Sequence, residues 1–150
     1  MKDDIRWAVK RFHYWCDRLE EFSEPFVVKK IQRPKLVFSL KGGRVAGTYV
    51  SASHAVVLRL PYLAMLKQRY DEVIAHEVCH AYQIQMMYGC KWHGDFFLFL
   101  LRRVCGFQDA IIRHRYRTKP TKILSKVLTL HKDQLMEICK DEIQSFSMER

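Results

Sequence analysis

The chain has 150 residues, 49% of them apolar and 13% aromatic, with 26 Lys and Arg against 16 Asp and Glu for a formal charge of +10. That composition is globular, not disordered, and allows one core-bearing domain with an appendage, not two full domains. The basic excess favours polyanionic partners such as nucleic acid; plain solubility charge is the alternative. The cysteines, Cys16, Cys79, Cys90, Cys105 and Cys139, are odd in number and form no C-x-x-C pair. A disulfide framework or zinc ribbon is therefore not expected, and free thiols suit a reducing compartment. The N-terminal MKDDIRWAVKRF carries acids and no apolar stretch, and the longest apolar run, Phe96 to Leu101, is too short to span a bilayer. The expectation is a soluble, cytoplasmic protein with no membrane partner.

In chain order, residues 3–22 predict an amphipathic helix. Ile5, Ala8, Val9, Phe12, Trp15, Cys16, Leu19 and Phe22 recur at steps of three and four, Asp3 and Asp4 suit the positive end, and Ser23 and Pro25 end it. From Phe26 to Leu60 the runs FVVKKI, KLVFSL, RVAGTYV and HAVVLRL predict three or four antiparallel strands, with Gly42-Gly43 as a tight turn. Gly47 inside a strand signals a bulge or a close backbone approach. Pro61 opens a short helix, PYLAMLKQRY. Asp71 caps the next helix, which runs to about Tyr88 and is closed by Gly89. GCKWH is a loop, and Gly94 to Val104 a mostly apolar helix. Residues 110–132 carry seven Lys and Arg and no acid, and residues 133–150, with five acids against two bases, read as a final helix.

The chemistry concentrates in VIAHEVCHAYQIQMMYGCKWHGDFF, from Val73 to Phe97. His76 and His80 are four apart, which on a helix places both imidazoles on one face, about 40° apart. Two neutral imidazoles at that spacing suit adjacent corners of a zinc tetrahedron. Glu77 projects about 100° further round, beside the metal and not on it. A catalytic zinc needs a third protein ligand and an open fourth position. His93, beyond the Gly89 break, is the candidate third ligand. Cys90 as a fourth would close the site and leave Glu77 no water to act on. Zinc lowers the pKa of coordinated water from 15.7 towards about 7 and polarises a carbonyl. Glu77 then serves as general base and passes the proton to the leaving amine. The plain alternative is a helix with two surface histidines and a salt-bridging glutamate.

HEVCHAY at 76–82, HG-x-x-F at 93–97 and the upstream GRVAGTY at 43–49 together resemble the SprT-like metalloprotease family, over roughly residues 5 to 105. The resemblance implies zinc at His76, His80 and His93, with Glu77 catalytic. It implies an α+β, minimal zincin-like fold: a small antiparallel sheet packed with the H-E-x-x-H helix and flanking helices. For Spartan-like members it implies cleavage of proteins on DNA or crosslinked to it. The cysteine cluster that often accompanies such domains is absent. The expected organisation is a protease domain at 1–109 and an appended basic segment and helix at 110–150.

Around this centre, Tyr82, about 240° from His76, is expected to pack behind the helix, and Cys79 to be a small core residue. Trp92 either buttresses the ligand loop or is plain core. Asp95 either orients a ligand imidazole or serves the start of its helix. Gln83 and Met87 lie towards the metal face, Met87 more typical of core. Tyr49, Arg44 and Tyr88 are conjectures for an oxyanion donor. His13, His54, His114 and His131 lack ligand spacing. The basic segment, with Arg113, Arg115, Arg117, Lys119, Lys122 and Lys126, interleaves Tyr116 and suits phosphates and an unstacked base, or else is a solvated face. Three functions compete: a zinc endopeptidase acting on a protein substrate near DNA, a non-enzymatic DNA-binding protein on a zincin scaffold, and a zinc hydrolase of another carbonyl.

Overall fold

The computed structural model describes residues 2–42, 44–63, 65–87 and 90–110, and beyond them Glu137 alone. The basic segment and the C-terminal helix expected after residue 110 lie outside the described residues, as does Gly89. Helix α1 spans Lys2–Ser23. Ala8, Phe12, Trp15, Cys16 and Leu19 form its buried stripe, the spacing that a 3.6-residue period requires. Asp3 and Asp4 occupy its first turn. The Ser23 hydroxyl donates to the Glu20 carbonyl at 3.0 Å, and Pro25 sits in a 3-10 turn, Glu24–Phe26. FVVKKI does not form the expected strand. Its first residue belongs to that turn, Val27 makes an isolated bridge, Val28, Lys29 and Lys30 are exposed, and Ile31 enters the core.

Three strands follow: β1 Lys35–Ser39, β2 Gly47–Val50 and β3 Ala55–Arg59. Their order is β1-β3-β2. β2 runs antiparallel to β3, with Tyr49 opposite Val56, but β1 runs parallel to β3, with Val37 opposite Val57. The sheet is mixed, which corrects the all-antiparallel expectation. The reason is geometric. A two-residue turn joins neighbouring strands about 4.8 Å apart, whereas β1 and β2 stand two spacings apart, roughly 9–10 Å, with β3 between them. The link therefore takes residues 40–46, and Gly42 is not part of a tight hairpin.

After β3 the chain makes a 3-10 turn, Leu60–Tyr62, with Pro61 at its start; of the helix expected from PYLAMLKQRY, KQRY is helical and opens the next helix. Helix α2 spans Lys67–Met86. Asp71 lies inside it and is not its cap. The Asp71 carboxylate accepts from Arg11 Nε at 2.9 Å, Arg11 Nη2 at 3.0 Å and Trp15 Nε1 at 2.8 Å, fastening α1 to α2. Ile74, Ala75, Val78, Cys79, Ala81 and Tyr82 are fully buried, since α2 packs against α1, β2 and β3 at once. Helix α3, Asp95–Phe99, continues into a π-helical turn, Leu100–Val104. The Cys105 N–H reaches back to the Leu100 carbonyl at 2.9 Å. The result is an α+β architecture with a small sheet and several helices around α2, consistent with a minimal zincin-like fold. Among the described residues no helix is long and apolar enough to cross a membrane.

Candidate metal centre

The four-residue spacing on α2 brings His76 and His80 together with their Nε2 atoms 3.2 Å apart. The third imidazole arrives by a turn. The Gly94 N–H bonds the Lys91 carbonyl at 3.0 Å, and a Cβ at Gly94 would lie 2.7 Å from Lys91 Cβ, so only glycine fits there. This turn swings His93 back over α2. Its Nε2 stands 3.2 Å from that of His76 and 3.1 Å from that of His80. These three side chains form a group that could hold a metal ion.

The triangle tests the fit directly. Each Nε2 offers one hydrogen or one lone pair, so three that face one another cannot all be satisfied; at least one pair must oppose like with like. A cation at the centre removes the conflict. Two nitrogens about 2.05 Å from a tetrahedral zinc are about 3.3 Å apart, close to the separations here. Burial keeps the rings neutral, the form that ligates. It lowers His76 to about 3, helped by neighbouring His93, and lowers His80 and His93 as well.

Aromatic rings hold the imidazoles in place. The His80 ring is stacked between Trp92, at 4.1 Å, and Phe97, at 4.3 Å. Phe97 also meets His76 edge-on at 4.7 Å and His93 at 5.2 Å. Trp92 therefore does buttress the site, and Phe97 underlies all three rings. His80 is only 2% exposed, whereas His76 and His93 are half-buried, so the open side of the triangle lies towards those two rings.

Glu77 lies beside the triangle, Oε1 3.8 Å from His76 Nε2. Burial raises its carboxyl to about 7, and a bond from the Tyr49 main-chain N–H opposes that rise. The strand above it is β2, an edge strand. Arg59 N–H donates to the Ala46 carbonyl at 3.0 Å, so the antiparallel alternation turns the main-chain groups of Gly47 and Tyr49 away from β3. Gly47 is the close approach expected from its place in a strand. A Cβ there would sit 3.2 Å from Val73 Cγ1, 3.3 Å from Leu58 Cδ2 and 3.4 Å from Glu77 Cγ.

The other candidates separate cleanly. Tyr82 and Cys79 are core, Tyr82 donating its hydroxyl to Glu20 and Cys79 lying 3.7 Å from Cys105 sulfur to sulfur. Met87 is also core. Asp95 occupies the first turn of α3, and no hydrogen bond joins it to a ligand ring among the described residues. The bond to a ring of the triangle comes from Gln83, whose Oε1 is 3.0 Å from His80 Nδ1; helical projection puts Gln83 towards that face of α2 but does not show which atom it touches. The Tyr49 hydroxyl is held 2.7 Å from His54 Nδ1, while His54 Nε2 lies 2.8 Å from the Gln32 carbonyl. Since that carbonyl only accepts, Nε2 donates, and Tyr49 donates to Nδ1. Its hydroxyl proton is therefore engaged by His54 and not by the histidine triangle. Arg44 is exposed, and Tyr88 lies outside the described residues.

No curated protein and no solved structure matches the chain. The model of the SprT-like family matches residues 13–120, a span that takes in β1 to β3, the motif helix and the turn bearing His93. The chain belongs to the SprT-like family.

Proposed function

We propose that this protein is a zinc-dependent endopeptidase of SprT type, with His76, His80 and His93 holding one zinc ion and Glu77 acting as general base. The observation that carries the reading is the triangle of Nε2 atoms at 3.1–3.2 Å with a buried carboxylate beside it. Family membership supports it. A zinc ion in this setting supplies Lewis acidity, bringing the pKa of water towards about 7 and polarising a carbonyl.

Each remaining part falls to the chain's own residues. Burial raises Glu77 in the metal-free site and a neighbouring zinc ion would oppose that rise; its carboxylate stands beside the triangle, where it can take a proton from water as general base. Tyr49 N–H holds the carboxylate towards the sheet. Beside that bond, the outer side of β2 turns the main-chain groups of Gly47 and the Tyr49 carbonyl away from β3, and an extended peptide can pair with such groups as an added strand. That favours a peptide over other carbonyl substrates.

The test is metal content together with proteolysis. The wild type is expected to carry one zinc per chain, and Glu77→Gln to keep the metal while losing cleavage of a protein substrate or of itself. Equal cleavage by both would overturn the mechanism. We further propose that the substrates are proteins on DNA, supported by the charge of +10 and the seven bases in 110–132. Single-stranded DNA is then expected to raise the cleavage rate in a salt-sensitive way. Tight, salt-sensitive DNA binding by a protein that never cleaves would instead favour a binding scaffold.

A further inference from the structure

Gln83 lies three residues beyond His80 on α2 and is fully buried. Its amide joins the two pieces of chain that supply the imidazoles. Oε1 is 3.0 Å from His80 Nδ1. Nε2 donates to the Lys91 carbonyl at 2.9 Å and lies 3.2 Å from Cys90 Sγ. Lys91 opens the turn that Gly94 closes, and His93 sits within it. We infer that Gln83 is a positioning residue for the metal centre, setting the tautomer of His80 and tethering the turn that presents His93. The inference rests on the metal-site reading above.

The orientation of the amide follows from its partners. The Lys91 carbonyl carries no hydrogen, so it must face the amide NH2. Oε1 is thereby turned to His80 and can only accept. His80 Nδ1 must then bear the ring proton, which leaves Nε2 with a bare lone pair directed at the other two ligands. A single side chain both selects the ligating nitrogen of His80 and limits how far the Lys91–Gly94 turn can move from α2. His93 needs that second restraint, because its own Nδ1 has no hydrogen-bond partner among the described residues. Groups of this kind hold a metal by fixing rings before the ion arrives, and losing one typically costs about 10- to 100-fold in metal affinity.

Two substitutions separate the roles. Gln83→Leu keeps the approximate volume and removes all three bonds. Gln83→Glu keeps an acceptor for His80 but has no N–H for Lys91. Zinc titrated against a chromophoric chelator is expected to bind Gln83→Leu about 10- to 100-fold more weakly than wild type, with Gln83→Glu recovering part of the loss. The visible spectrum of the cobalt-loaded protein is expected to change in the Leu variant. Were Gln83 mere packing, Gln83→Leu would bind zinc with wild-type affinity and an unchanged cobalt spectrum, and that result refutes the inference. A wild type that takes up neither ion overturns the metal-centre reading and this inference with it. Should neither variant fold, nitrogen-resolved NMR of the wild type decides: a slowly exchanging His80 Nδ1 proton is expected, and a proton on Nε2 in the metal-free protein overturns the assignment.

Discussion

A methyl group at Gly47 is the smallest change that reaches Glu77 without touching a ligand. Built there, Cβ lies 3.2 Å from Val73 Cγ1 and 3.3 Å from Leu58 Cδ2, closer than carbon atoms rest comfortably, and 3.4 Å from Glu77 Cγ, at the short end of ordinary contact. Overpacking of this kind costs about 1–3 kcal/mol, while restricting the unfolded chain returns about 0.4–1 kcal/mol. The net loss in Gly47→Ala is therefore about 1 kcal/mol, a fall in Tm of roughly 3–6 °C for a domain of this size. The effect on catalysis is larger than that fall alone explains. Relief by an outward shift of β2 carries the Tyr49 N–H with it, and displacing the Glu77 carboxylate that it holds by a fraction of an ångström is expected to lower kcat by about tenfold or more. None of the three imidazoles borders Gly47 in the contacts above, so zinc content is expected to stay at one per chain. The assay measures kcat, zinc content and Tm for Gly47→Ala and for the bulkier Gly47→Val. Wild-type kcat in both variants would refute the reasoning, as would loss of the metal in Gly47→Ala.

Asp71→Ala leaves the buried Trp15 N–H and the Arg11 guanidinium without their acceptor, and is expected to cost about 1–3 kcal/mol in urea unfolding with zinc binding retained. In the metal-free protein, stability is expected to decline as pH falls from about 6.5 towards 3. His76 is held near 3 instead of its ordinary 6.5, so over that interval the unfolded state takes up the proton and the folded state does not. The other two ligand rings shift in the same direction. Glu77 shifts oppositely, from 4.5 to about 7, so it binds its proton on folding between those values and loses stability as pH rises through them. Three imidazoles outweigh one carboxyl, and below about 4.5 only the imidazoles act. Thermal melts in chelator across this range check the sign, and an acid limb with no loss of Tm would contradict it.

Helices were more legible than strands because their signal is local. The stripe from Ala8 to Leu19 specifies α1 by spacing alone. The sheet depends on which strand lies between which, and nothing in RVAGTYV or HAVVLRL reveals that β3 inserts between β1 and β2. A run of alternating residues reads the same beside a parallel neighbour as beside an antiparallel one. Asp71 was misread for a related reason. An acid before an apolar run has the form of a cap, and only the arrival of Arg11 and Trp15 from α1, about 60 residues earlier, gives it another use.

The site divides along the same line. The pairing of His76 with His80 follows from helix geometry and needed no fold. The approach of His93 depends on a turn whose one sequence mark is Gly94, and glycine has many uses; here the mark means that a Cβ would collide with Lys91. Gly47 carries the same kind of information at Glu77. Both glycines record an absence of side chain at a point where the chain must come close to something distant, which is why their meaning is visible only once that distant part is in place. Gln83 is harder still, because a fully buried amide on a motif helix looks like an error of polarity until its three partners are identified. Burying it is tolerable because all of those bonds are made. The same completeness makes the residue specific, since an apolar replacement of equal volume would fill the space yet leave His80 free to carry its proton on the wrong nitrogen.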